Sequence, residues 1–315
     1  MSGTDGAASP CPGPRQDRRG AGRRRPRGRA AARPREGVAP MMTLRPFWRY
    51  FGAKWRAAPF YPAPRHTTII EPFAGAAGYS LRHAERAVIL VERDPRVAEV
   101  WRWLIGSSPA DLRAIPLVEC VDDLPAATPE GARLLVGFGF GAGDSRPRRR
   151  MSPMIRRDGG WPRERLASQV AAIKHWRIIE GDYTEAPDLE ATYFVDPPYQ
   201  IAGARDTRPG ARGRVRYPHG ADAIDFMALG QWCRTRQGQV IACENVGATW
   251  LPFEPLRDFQ SARPGGVSRE AVWLGGVAVG DQVEPDGMRR EAAEARGRAG
   301  AADRAALTRR GPRPY

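Results

Sequence analysis

The run Tyr193-Phe-Val-Asp-Pro-Pro-Tyr199 ends an apolar stretch with a carboxylate, two prolines and an aromatic ring. Proline has no N–H, and its ring fixes φ, so this turn presents acceptors and holds them rigidly. Asp196 and the carbonyls beside it suit an –NH2 donor, and Tyr199 adds a flat face suited to a planar base. A Pro-Pro-Tyr alone is commonly a turn with a core tyrosine. Here it follows, far downstream, a second cluster: Glu71-Pro-Phe-Ala-Gly-Ala-Ala-Gly78. Small residues there let the backbone approach a ligand, and free N–H groups at the start of a helix can receive it. Glu92 lies 17 positions after Gly75. An acid so placed can accept both hydroxyls of a ribose. The third glycine of the dinucleotide fingerprint is missing, which argues against NAD. His66, His83, His175 and His219 show no ligand spacing, and no metal is expected.

These residues need a scaffold that ends strands next to one another. The chain between them alternates strand and helix patterns, which predicts an α/β fold with a mainly parallel sheet and helices on both faces. Strands are expected at 67–73, Ala87–Glu92, Arg177–Glu180, 191–196, 239–244 and 270–274. Helices are expected at 79–85, at 95–104, where Pro95 opens the first turn, at 163–176 and at 221–236. In doubly wound sheets ligands sit at the carboxyl ends of strands, where both clusters fall. Residues from about 107 to 160 have weak periodicity and many Pro, Gly and Arg, so they read as an insertion or a small subdomain. Trp101 and Trp103 read as core, and Cys233 and Cys243 as small buried apolar residues.

Composition bounds the function further. The chain of 315 residues carries 50 Lys+Arg against 35 Asp+Glu, a net of +15. Only Lys54 and Lys174 are lysines, and with 35 Gly and 30 Pro this is the mark of GC-rich coding. Residues 1–40 hold +7, residues 281–315 hold +2, and the part between holds +6. The central part is moderately basic, compatible with a polyanion partner but not diagnostic of one. Residues 1–40 lack large apolar side chains and read as a disordered Arg/Pro/Gly tail; Met41-Met42 follows, and translation is expected to start there. Residues 281–315 read as an Ala/Arg-rich tail. No apolar run is long enough for a membrane span. Cys11, Cys120, Cys233 and Cys243 form no C-x-x-C pair, which excludes a cysteine zinc site and fits a cytoplasmic location.

The two clusters together resemble the Dam-like DNA adenine-N6 methyltransferase family, in its phage-type form. Asp196, Pro197, Pro198 and Tyr199 match the catalytic motif, and Pro72 through Gly78 resembles the cofactor motif. Tyr50-Phe-Gly-Ala-Lys-Trp55 resembles the upstream motif that lines the same pocket. Glu92 falls where the family's ribose-binding acid falls, and Gly181-Asp-Tyr183 resembles the Gly-Asp-aromatic motif near the cofactor adenine. The stretch from Gln239 through Trp250 to Phe253 resembles the region after the catalytic motif, and the likeness covers about 45–275. Two positions depart from the pattern: Ala77 stands where many members have Gly, and Glu92 where Asp is commoner.

The resemblance implies a Rossmann-like fold that uses S-adenosylmethionine, with a methyltransferase domain over 41–280 and a target-recognition subdomain inserted at about 107–160. It implies cofactor binding by Tyr50, Lys54, Trp55, Glu71, Pro72, Phe73, Gly75, Ala76, Gly78, Glu92, Asp182, Tyr183 and Asp196. It implies methyl transfer to the N6 amine of an adenine flipped out of double-stranded DNA, by a monomer, with a cognate restriction endonuclease as a partner where one exists. Asp before Pro-Pro favours adenine; Ser there would favour cytosine and Asn a glutamine side chain. Another nucleic-acid amine and a non-catalytic nucleic-acid-binding relative remain as alternatives. For DNA contact the arginine-rich segments 146–157 and 205–216 are nominated, with Arg148, Arg149, Arg150, Arg156, Arg157, Arg212 and Arg214 foremost.

Overall fold

A computed structural model describes residues 43–200, 218–260 and 267–276. The expectations for 1–40, for Arg212 and Arg214 and for 281–315 lie outside the described residues. Seven strands form one sheet: β1 (Thr68–Glu71), β2 (Ala87–Glu92), β3 (Arg177–Glu180), β4 (Ala191–Val195), β5 (Gly238–Asn245), β6 (Glu254–Gln260) and β7 (Val267–Gly275). Their order is β3-β2-β1-β4-β5-β7-β6. The first five are parallel, and β7 runs antiparallel to both of its neighbours, β5 and β6. The sheet is therefore mainly parallel, and its order reverses between β1 and β4.

Alternate residues of each strand face opposite sides, as the pleat demands. Ile69, Leu90, Phe194 and Ile241 enter one core with α1 (Pro95–Gly106), α3 (Glu130–Gly139) and α5 (Arg163–Gln169). Ile70, Ile89, Tyr193 and Val240 enter a second core with α6 (Phe226–Thr235). Both faces are thus covered, and the central strands read as continuous apolar runs for that reason. Two shorter helices, α2 (Pro109–Ala114) and α4 (Pro153–Arg157), lie in the segment between α1 and α5.

Several elements differ from their sequence reading. The helix expected at 79–85 is a single 3-10 turn, Ser80–Arg82. The Ser80 N–H goes to the Glu71 side chain instead of to main chain, and Tyr79 is buried flat against Phe194, with ring centres 4.3 Å apart. The helix expected at 221–236 starts only at Phe226, because the Asp225 side chain accepts the Met227 and Ala228 N–H groups and caps it there. The segment 107–160 is inserted between β2 and β3 but shares the main core: Leu135, Val136 and Phe138 of α3 are buried with Trp101 and Leu104. Trp101 is core, as expected, and Trp103 packs half-buried against it. Cys233 and Cys243 are buried, as expected.

Candidate active site

An open cleft lies at the carboxyl ends of β1, β2 and β4, where the strand order reverses. Open sheets of this kind bind ligands at such a point. The cleft holds about 840 Å³ of empty space, counting its mouth. Its walls carry Glu71, Glu92, Asp94, Asp182 and Asp196 against Lys54 and Arg93.

The first wall is the turn after β1. Gly75 and Ala77 both adopt positive φ, +46° and +49°. This left-handed conformation is natural for glycine and costs an alanine on the order of 1 kcal/mol. It curls the chain so that the Gly75 N–H meets Glu92 Oε2 at 2.8 Å and the Gly75 carbonyl accepts Trp101 Nε1–H at 2.8 Å. The other carboxylate oxygen of Glu92 accepts the Asp94 N–H, also at 2.8 Å. Gly78 is required for a different reason: a Cβ there would stand 2.6 Å from the Trp55 nitrogen and 2.8 Å from that of Lys54. The backbone of 54–55 therefore lies directly on the turn. Phe73 stacks on Tyr183 at 5.6 Å, beside Asp182, whose carboxylate lies 3.5 Å from Arg93.

The second wall is the turn after β4. Asp196 Oδ1 lies 2.8 Å from Lys54 Nζ, and Lys54 is only 7% exposed. The same ammonium donates to the Gly52 carbonyl and sits 4.7 Å from the centre of the Tyr199 ring. The Tyr199 hydroxyl donates to Glu270 Oε2, which also accepts the Tyr61 hydroxyl at 3.2 Å. Ser268 Oγ donates to Glu270 Oε1 at 2.8 Å. One residue further on, the Gln200 N–H donates to Glu244 Oε2 at 2.7 Å, and Trp250 Nε1–H reaches the same oxygen at 3.2 Å. Pro197 is buried and Pro198 lines the cleft.

Burial dominates the electrostatics here. It pushes Asp196 up to about 6, with Lys54 pulling the other way. It pushes Glu92 and Glu244 up to about 7 each, against the backbone N–H groups they accept. Glu71, whose Oε1 accepts the Ser80 N–H at 2.7 Å, is pushed to about 8. At neutral pH Asp196 is thus an ionised acceptor, while Glu71 keeps its proton.

All the residues nominated for the cofactor line this cleft except Trp55. The Trp55 indole donates to the Leu44 carbonyl and lies under the Arg82 guanidinium, 3.9 Å away. Tyr199 belongs to the same wall, but its ring carries the Lys54 ammonium. Among the nominated arginines, Arg148 pairs with Asp144, Arg149 with Asp122 and Arg156 with Glu119, all on the surface. Arg150 and Arg157 are exposed. Sequence reasoning missed Glu244, Glu270 and Tyr61, and also Pro218, His219 and Ile224 of the cleft lining. The two acids left one trace: each interrupts or borders an apolar strand that has no evident use for a charge. No group of His, Cys, Asp and Glu suited to a metal occurs among the described residues, and none of their helices is long and apolar enough to cross a membrane.

No protein-family model matches the chain, and no curated protein matches it. Solved structures give faint likenesses. A conserved hypothetical protein of Streptococcus pyogenes aligns at 11% identity over 66% of this chain and 85% of that one, with a TM-score of 0.29. A putative methyltransferase, yhhF from Escherichia coli, aligns at 12% identity over 71% and 82%, with a TM-score of 0.28. Likenesses this low say nothing about the site.

Proposed function

We propose that the chain transfers a methyl group from S-adenosylmethionine to the N6 amine of an adenine flipped out of duplex DNA. The observation that carries this reading is the meeting, across one cleft, of the Gly75–Gly78 turn with Glu92 and the acceptor turn at Asp196. The donor set fits the cofactor. Glu92 accepts the Gly75 and Asp94 N–H groups on different oxygens, with the Arg93 N–H beside them, and two carboxylate oxygens leave a lone pair for a ribose hydroxyl. Phe73 and Tyr183 offer apolar faces beside Asp182 for a base. The two cations of the wall, Lys54 and Arg93, are already paired with Asp196 and Asp182, which disfavours the pyrophosphate of a dinucleotide. When bound, the cofactor would supply an activated methyl on a sulfonium: as the new nitrogen–carbon bond forms the carbon–sulfur bond breaks, a neutral thioether leaves, and the amine then sheds one proton to solvent.

The chain's own residues do the rest. An amine conjugated with a purine ring is a poor nucleophile. Hydrogen bonds from that amine to Asp196 and to the Pro197 carbonyl turn its lone pair out of the ring. Asp196 serves as an ionised acceptor because the Lys54 ammonium offsets part of the effect of its burial. The prolines contribute rigidity, since positioning within about 3–3.5 Å carries much of such a rate. The adenine must leave the stack to reach this depth, and Pro198 and Tyr199 offer it apolar contact. For phosphate contact, Arg148, Arg149 and Arg156 would exchange their surface carboxylates for DNA, while Arg150, Arg157, Arg212 and Arg214 add charge. In this reading the enzyme acts as a monomer.

The test is methyl transfer from labelled cofactor to unmethylated duplex DNA. Wild type should label adenine. Asp196→Ala should lose labelling by at least about 100-fold while still binding cofactor. Undiminished transfer in that variant would sink the assignment. Label recovered in RNA or on cytosine would keep the chemistry and change the substrate.

A further inference from the structure

Glu270 is 6% exposed and sits on β7, opposite Asn245 of β5. Its carboxylate accepts three hydroxyls, from Tyr199, Tyr61 and Ser268. A buried carboxylate surrounded by neutral donors is costly unless it is held for a purpose. Its strongest link runs to the turn itself. Stacking on a base would need only the ring of residue 199, yet the side chain there is a tyrosine whose hydroxyl donates to Glu270 and also lies against Asp196. That hydrogen bond pins the far end of the ring. The Lys54 ammonium rests on the ring's face, 4.7 Å from its centre, and the same ammonium meets Asp196 Oδ1 at 2.8 Å. A phenol donating to a carboxylate is also the more electron-rich, which strengthens its hold on a cation.

We propose that Glu270 is a positioning residue of this site: through the Tyr199 hydroxyl it fixes the ring that seats Lys54, and so sets where the Asp196 carboxylate points. It acts through Tyr199 and touches neither substrate nor cofactor. The kinetic part rests on the methyl-transfer reading above. Asp196 is faced by Lys54, Tyr199 and Glu270, and at longer range by Glu71, Glu244, Tyr61 and Cys243. Among the nearest three, Glu270 is the only acid, so its charge favours protonation of Asp196.

Glu270→Met removes the acceptor at similar size. It should lower kcat about 10- to 100-fold. Glu270→Gln, whose amide oxygen can still accept from Tyr199, should restore most of that loss. Tyr199→Phe, which also removes the hydroxyl beside Asp196, should lose at least as much as Glu270→Met, and the double variant should be no worse than Tyr199→Phe alone. A folded Glu270→Met with kcat within about twofold of wild type overturns the proposal. So do losses that multiply in the double variant. If Glu270→Met does not fold, Tyr199→Phe carries the kinetic test alone.

A second readout needs no activity. The carbon-13 carboxyl signal of Asp196, assigned by its loss in Asp196→Asn, should titrate at higher pH in Glu270→Met than in Glu270→Gln: both lose the charge, and only the first frees Tyr199 and loosens Lys54 from Asp196. Equal midpoints in the two variants overturn the proposal even if the wild-type protein methylates nothing. Wild type that binds cofactor but labels no nucleic acid, with midpoints that differ between the two variants, would refute the methyl-transfer reading and leave the Glu270 assignment standing.

Discussion

The turns after β1 and β4 stand side by side and solve opposite problems. The first is built from glycine and alanine in left-handed conformation, with the Gly75 N–H turned to Glu92 and the Ala74 and Ala77 N–H groups held by main-chain carbonyls. The second is built from prolines that have no N–H, so it presents only a carboxylate and carbonyls. The first is supported by other backbone, which presses on it at Gly78. The second is supported from below by buried acids, Glu244 and Glu270. The difference teaches how two turns of one cleft are held by opposite means: the first commits its main-chain N–H groups to Glu92 and to neighbouring carbonyls, and the second, which lacks such groups at its prolines, rests on carboxylates beneath it.

The comparison can be broken most sharply at Gly78. Gly78→Val should cost about 3 kcal/mol or more, because the added atoms meet the backbone of Lys54 and Trp55 and not a movable side chain. Urea unfolding measures it, and cofactor binding should fall with it. On the other turn, Glu244→Leu leaves the Gln200 N–H and the Trp250 indole N–H without their acceptor. The buried indole orphan costs roughly 1–3 kcal/mol, and the more exposed Gln200 N–H less. A loss of stability below about 1 kcal/mol would show that the acid does not hold the turn.

Glu71, at the root of the first turn, separates the two by pH. The folded chain holds its proton up to about pH 8, whereas an unfolded glutamate releases it near 4.5. Between those values the folded state binds more protons, so stability falls as pH rises. Glu71→Gln should remove a slope of about −1.4 kcal/mol per pH unit over that window. Comparing the two unfolding curves from pH 5 to 8 cancels other groups, including His83, whose depressed value acts in the opposite direction. Equal slopes in the two proteins would place the proton elsewhere.

The smallest effect is expected at Ala77. Ala77→Gly gives the turn the residue its φ of +49° favours. It should raise stability by no more than about 0.5 kcal/mol, because the relief of strain is offset by the added freedom of the unfolded chain and by the loss of a buried methyl. A thermal melt would register the shift, and a lower Tm would mean that the alanine methyl is packing usefully.

Much of this was legible along the chain because the informative features are local. Ala87–Glu92 reads as a buried strand from its uninterrupted aliphatic run, and the Pro-Pro turn announces itself after Val195. The motif segments also meet in space, since the parallel strands that carry them are neighbours. What was not legible depends on contacts between distant residues. Helix α3 hid behind Gly131, Gly137 and Gly139, which look like loop residues. They are small because a Cβ would overlap Trp103, Pro147 and Trp161. Strand β6 hid because its residues are largely exposed and include Pro255. Glu270 lies 71 positions beyond Tyr199, and nothing in local pattern ties the two together.

The antiparallel strand β7 has a consequence for synthesis. It wedges between β5 and β6, and it brings Glu270 to Tyr61 across 209 positions of chain. A ribosome delivers the glycine turn early, the Asp196 turn much later and β7 later still. Until β7 emerges, β5 has a bare edge, and the Tyr199 hydroxyl has no carboxylate to meet. Completion of the site therefore marks completion of the sheet. A nascent chain stalled before Val267 should expose an unpaired strand edge, the kind of surface that chaperones engage, and hold no ordered Asp196 turn.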